Sequence, residues 1–172
     1  PYAFARIQDA NTTYILRRSF NFIGGLPVDI FPLDGMTTNP LKRKWHYMRY
    51  DFYVRLMYYN LRDPYKHGRG LDCLFIKMCH KLLSSAWLHR KLDKIQSEYD
   101  FDHSTLVADH DNAPERGILP REVYGEPTPI SFEGHSFMGV AKPDAYLKYC
   151  YGNYMQLPDE MPPQNFRYLD LQ

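Results

Sequence analysis

The sequence predicts an α+β fold. Three observations carry that expectation: short β-branched and aromatic runs bounded by glycine and proline near the start, capped amphipathic stretches through the middle, and a return to strand-like alternation ahead of one last helix. The chain has 172 residues, 44% hydrophobic and 24% charged, an ordinary globular composition that suits a single domain over residues 1–172. A net charge of +1 speaks against a dedicated nucleic-acid binder, which carries a large basic excess. Three cysteines, an odd number without a CxxC spacing, speak against a secreted disulfide scaffold and fit a reducing cytoplasm. Charges interrupt every apolar run, so neither a membrane-spanning helix nor a cleavable signal peptide is expected.

In order along the chain, residues 3–9 and 12–17 read as the two arms of a hairpin turning at Ala10-Asn11. Residues 28–31 follow as a short strand bounded by Gly25-Leu26-Pro27 and Pro32, with Val28, Ile30 and Phe31 as its β-forming side chains. The clearest helix starts at Asn39, a good N-cap, with Pro40 in the first helical position. Leu41, Trp45, Met48, Phe52, Leu56 and Tyr59 recur at spacings of three and four, which predicts a stripe buried against the sheet. Lys42, Lys44, Arg49, Arg55 and Arg62 lie mostly off that stripe and read as a solvated basic face. A second helix over about 69–83 carries Leu71, Leu74, Phe75, Met78 and Leu82, and a third over about 85–98, capped by Ser84 or Ser85, carries Trp87, Leu88, Leu92 and Ile95. Residues 104–108 read as a strand. From Asp109 to Pro129, Pro114, Pro120, Pro127 and Pro129 deny any periodicity and predict a loop. Residues 129–140 alternate as a strand with Ser131, Glu133 and His135 on one face. The last helix has Pro143 first, Asp144 against the positive end of the dipole and Gly152 just past its end; the tail from Pro158 reads as extended chain.

Asp29 stands out among candidate functional residues. An ionised carboxylate inside an apolar strand is costly unless a metal, a cation or several donors compensate it; the alternative is a side chain that ties down a neighbouring loop. Asp34 follows in the turn before Gly35, where a carboxylate also suits local hydrogen bonding. Glu133 and His135, two apart on a predicted strand, fit either a shared polar site or a surface ion pair. Tyr151, in Tyr151-Gly152-Asn153-Tyr154, is an aromatic placed to meet a sugar or base, although helix termination accounts for Gly152. Cys73, Cys79, His80 and Cys150 lack ligand spacing, and Asp102-His103 and Asp109-His110-Asp111 fall in predicted loops, so no metal is assigned to them. No glycine-rich phosphate loop occurs.

The segment Val28-Asp29-Ile30-Phe31-Pro32-Leu33-Asp34-Gly35 resembles the central segment of the LicD family, phosphotransferases that move phosphocholine or a similar group from a cytidine nucleotide onto a glycan. Phe132-Glu133-Gly134, Lys142-Pro143-Asp144-Ala145-Tyr146-Leu147 and Tyr151-Gly152-Asn153-Tyr154-Met155 with Pro158 resemble that family's C-terminal signature in the same order. Residues 7–13 resemble the lead-in to the central segment. The resemblance implies a nucleotidyltransferase-like mixed sheet flanked by helices, a CDP-linked donor, and an acceptor hydroxyl on a cell-surface glycan, lipopolysaccharide or teichoic acid. It further implies Mg2+ as cofactor, no nucleic-acid partner, and a cytoplasmic location with peripheral association at the inner face of the membrane. Asp29 and Asp34 take the catalytic roles, Asp29 as metal ligand or general base, and Glu133, His135 and Tyr151 contact substrate. The family's Asp-x-Asp element has no counterpart upstream of Asp29, which implies a chain lacking the enzyme's N-terminal strand-helix-strand portion and inactive alone. The alternative is a non-catalytic glycan-binding or assembly module that keeps the family fold.

Overall fold

Helices and small antiparallel sheets make this an α+β protein in the computed structural model, which describes residues 4–16, 23–63, 70–156 and 166–171. The elements begin with β1 (Ala5–Gln8), β2 (Thr12–Leu16), β3 (Ile23–Gly24), β4 (Pro27–Ile30), β5 (Asp34–Met36), α1 (Pro40–Leu61), α2 (Leu71–Leu82) and α3 (Ser85–Gln96). They continue with β6 (Leu106–Ala108), α4 (Pro114–Gly117), β7 (Ile118–Pro120), α5 (Arg121–Tyr124), β8 (Thr128–Phe132), β9 (His135–Gly139), α6 (Pro143–Tyr151) and β10 (Phe166–Leu171). The chain divides into two units, one of residues 1–31, 48–95 and 161–172, the other of residues 32–47 and 96–160.

In the first unit the expected hairpin of residues 3–9 and 12–17 does not form. β1 pairs instead with β4, and β2 lies between β3 and β10. The turn at Ala10-Asn11 is still made, Asp9 Oδ1 accepting from the Asn11 N–H at 2.9 Å, but it sends the two arms to different partners. Residue 17 and the tail from Pro158 to residue 165 lie outside the described residues; β10 beyond them is extended, as expected.

Asn39 caps α1 as its sequence predicts, its Oδ1 accepting from the Leu41 and Lys42 N–H groups at 3.0 and 3.1 Å. The buried stripe of that helix is displaced from the expected one. Leu41, Trp45, Met48 and Phe52 are exposed, and Tyr50 and Met57 are buried with Tyr53 beside them. The cause is the helix's composition, with aromatic or apolar side chains on nearly every face, so that two stripes one residue apart fit the same period. α3 selects between them. Leu88, Leu92 and Ile95, buried as predicted, form one core with Tyr50 and Met57, and the Tyr53 and Trp87 rings meet edge to face at 5.9 Å.

Ser84 caps α3 through the Trp87 N–H at 3.1 Å. Asn60 fastens α1 to the turn between α2 and α3, donating to the Cys79 and Leu83 carbonyls and accepting from the Ser85 hydroxyl. In α2 the expected apolar set is exposed, Leu71, Leu74 and Leu82 most of all, and Ile76 and Cys79 are the residues buried.

The second unit is built on the antiparallel sheet β5-β6-β7, with Gly35 opposite Val107 and Val107 opposite Leu119. Asp34-Gly35 is therefore strand, not turn. Gly35 is required by close approach, because a Cβ there would lie 2.3 Å from the Asp100 carbonyl oxygen. The predicted loop from Asp109 to Pro129 contains β7 and the short helices α4 and α5, with Ile118, Leu119 and Val123 buried. Two of the prolines there bound elements: Pro114 opens α4 and Pro120 closes β7 ahead of α5. The single strand expected over 129–140 is a hairpin, β8 against β9. Glu133 and Gly134 form its two-residue turn, with φ of 47° and 78°. α6 runs from Pro143 to Tyr151 as predicted, Gly152 ending it at φ 66°.

Candidate functional site

Asp29 is not the isolated carboxylate its neighbours suggest. Antiparallel register sets Arg6 opposite it, and the guanidinium binds both carboxylate oxygens, Nη2 to Oδ2 at 2.8 Å. Alternation along β4 turns this ion pair to the half-buried face, and Val28 and Ile30 to the exposed one. A cross-strand cation thus compensates the charge that made Asp29 conspicuous.

Asp34 lies in different company. At the head of β5 its Oδ2 is 3.7 Å from Nδ1 of His110, which follows β6. Nε2 of His110 is 2.8 Å from Nε2 of His46 on α1, and Nδ1 of His46 is 2.9 Å from Oε2 of Glu98, just past α3. The four side chains form a row, carboxylate, imidazole, imidazole, carboxylate. Both imidazoles are fully shielded from water while the carboxylates keep partial access, Glu98 at 35% and Asp34 at 20%. Tyr47 stacks on the His110 ring at 5.6 Å and Tyr99 lies against the His46 ring at 5.6 Å. These walls make the surroundings of the pair poorly polar, so a charge there interacts strongly with its neighbours. Burial first, and the charge of His46 second, push the pKa of His110 down to about 4.

This row was not legible as a site. His46 sits inside a helix, Glu98 past the end of one, and His110 in a segment read as loop. The available signal was the run 46, 50, 53 and 57, which places His46 on the stripe that α1 buries. A second signal was the proximity of His110 to the apolar run Leu106-Val107-Ala108.

The remaining expected site residues do not join this row. Glu133 occupies the turn and His135 opens β9, so they do not share a strand face, and both are exposed. The two-residue turn at Glu133-Gly134 is the reason, since it reverses the chain between them. Tyr151 ends α6 at 67% exposure. Cys73, Cys79 and Cys150 are free thiols, and burial raises the pKa of Cys79.

Among the described residues no group of three or more His, Cys, Asp or Glu side chains is arranged to hold a metal ion. The row of four fails because its members lie in line, not around a point. Asp29, the carboxylate expected to bind magnesium, is matched by Arg6. No protein-family model, curated protein or solved structure matches the chain in the comparisons made with each. Among the described residues no helix is long and apolar enough to cross a membrane.

Proposed function

We propose that the chain belongs to a LicD-type transferase that moves a phosphorylated alcohol, phosphocholine or a similar group, from a CDP-linked donor to a hydroxyl of a cell-surface glycan, lipopolysaccharide or teichoic acid. The observation that carries this reading is the ordered pair of motifs, residues 28–35 and residues 132–158. The setting of Asp34 supports it: a carboxylate with partial access to water, backed by a buried imidazole. In this reading Asp34 takes the proton of the acceptor hydroxyl, the oxygen attacks the phosphorus that carries the alcohol, and the bond to CMP breaks with its electron pair leaving on CMP. Glu133, His135 and Tyr151, all exposed, contact the glycan. The site works at the cytoplasmic face of the membrane, where such precursors and nucleotides meet. The resemblance adds Mg2+ to the reaction, which would neutralise the diphosphate, with Asp29 as the carboxylate it offers that ion.

The test is CMP release by the full-length gene product from CDP-choline and CDP-ribitol, with and without magnesium, over a crude cell-envelope glycan fraction. Release from one donor is expected, falling by at least about 100-fold in Asp34→Asn with the fold intact. No release from either donor by a folded protein would overturn the reading. It would favour a glycan-binding module that uses exposed aromatics such as Phe132, Phe137 and Tyr151.

A further inference from the structure

The row of Asp34, His110, His46 and Glu98 has a proton inventory of its own, independent of the transfer reaction. A carboxylate only accepts, so Nδ1 of His46, 2.9 Å from Glu98, carries a hydrogen. In a neutral ring Nε2 of His46 then holds a lone pair, and the hydrogen across the 2.8 Å gap must come from Nε2 of His110. That leaves the lone pair of His110 Nδ1 turned toward Asp34, acceptor facing acceptor at 3.7 Å. One added proton resolves the conflict. With a single hydrogen shared between the two Nε2 atoms, both Nδ1 atoms are donors and each faces a carboxylate. A second added proton has no place, because two Nε2–H groups cannot point at each other across 2.8 Å.

We propose that His46 and His110 hold one shared proton and act as an acid-sensitive latch in the second unit, closed while the pair carries at most that proton and forced apart by the next. The pair is faced from several elements of the second unit. Asp34 comes from β5, Glu98 and Tyr99 from the turn after α3, and Tyr47 from α1 itself. Asp109, beside His110, is engaged by the Asp111 N–H and the Asn112 amide. The latch joins the first turns of α1 to the segment between β6 and α4, both within the second unit.

The direction of the pH effect follows. The folded pKa of His110, about 4, lies below its ordinary value of 6.5, so between those pH values the unfolded chain binds a proton that the folded chain refuses. Against this further proton, stability is full above about 6.5 and lost as the pH falls toward 4, whereas the stability contributed by the shared proton is lost as the pH rises. Each excluded proton lowers the folding equilibrium constant about tenfold per pH unit, about 300-fold over that window.

The experiment is a titration of the 15N-labelled imidazoles of this chain by NMR, with the folding equilibrium measured in urea from pH 7 to pH 4. Expected are a His46 and His110 pair that takes up no second proton before the fold is lost, and a His110→Gln variant whose folding equilibrium loses the tenfold dependence. The proposal is overturned if both imidazoles titrate near 6.5 in the intact fold, or if His110→Gln keeps the wild-type pH dependence. It is also overturned if one equivalent of zinc shifts both rings and stabilises the chain, which would make the pair a metal site. Should His110→Gln fail to fold, the wild-type imidazole titration decides alone.

Discussion

The two cores of this protein are made of different materials. In the first unit Tyr50, Met57, Leu88, Leu92 and Ile95 close on one another through apolar contact and aromatic edges. In the second, Met36, Tyr47, Ala108 and Ile118 pack in the same unit as two buried imidazoles whose outer nitrogens face carboxylates. The first core draws on area removed from water, a term indifferent to protons. The second places titratable groups in a poorly polar setting, where each proton gained or lost changes the balance. The difference teaches where environmental sensitivity resides: acidity reaches this fold through the second core.

Three substitutions sharpen that contrast, in order of expected effect. Leu88→Ala deletes a fully buried side chain at the centre of the first core and should cost about 3 kcal/mol, the same at pH 7 and pH 5 when measured by urea unfolding. A cost that grew on acidification would show the first core to be proton-linked as well. Gly35→Ala should cost about 2 kcal/mol, because the new Cβ would meet the Asp100 carbonyl and shift β5, which carries Asp34. A neutral outcome would mean that β5 moves freely, and with it the carboxylate end of the row. Arg6→Ala removes the partner of Asp29 and should cost about 0.5 kcal/mol, less in 1 M salt, since the pair is only partly shielded. A cost several times larger would make that ion pair a structural anchor on the scale of the cores.

Legibility in the sequence followed the kind of interaction. Local signals read correctly: Asn39 and Ser84 as caps, Pro143 and Gly152 as the bounds of α6, and Leu88, Leu92 and Ile95 as the buried face of α3. Pairing choices did not, because β1 and β2 satisfy any antiparallel partner with the right alternation, and the partners chosen are β4 for one and β3 and β10 for the other. α1 shows the limit of periodicity, since nearly every face of it is aromatic or apolar and only α3 decides which is buried. The row around His110 was invisible for a related reason. Its four members come from four places in the chain, and none carries a spacing that marks it. Asp29 is conspicuous in sequence because its neighbours are apolar, yet its compensation, Arg6, lies 23 residues away along the chain.

The most direct test of the contrast is amide hydrogen exchange, read residue by residue between pH 7 and pH 4.5 and corrected for intrinsic exchange chemistry. Protection at Val107 and Leu119 in the second unit should fall about tenfold per pH unit below about pH 6.5, and protection at Leu88 and Leu92 in the first should stay level until the whole chain unfolds. If the two sets decline together from neutral pH, or if Val107 and Leu119 hold their protection down to pH 4.5, the imidazole pair does not set the acid sensitivity of its unit.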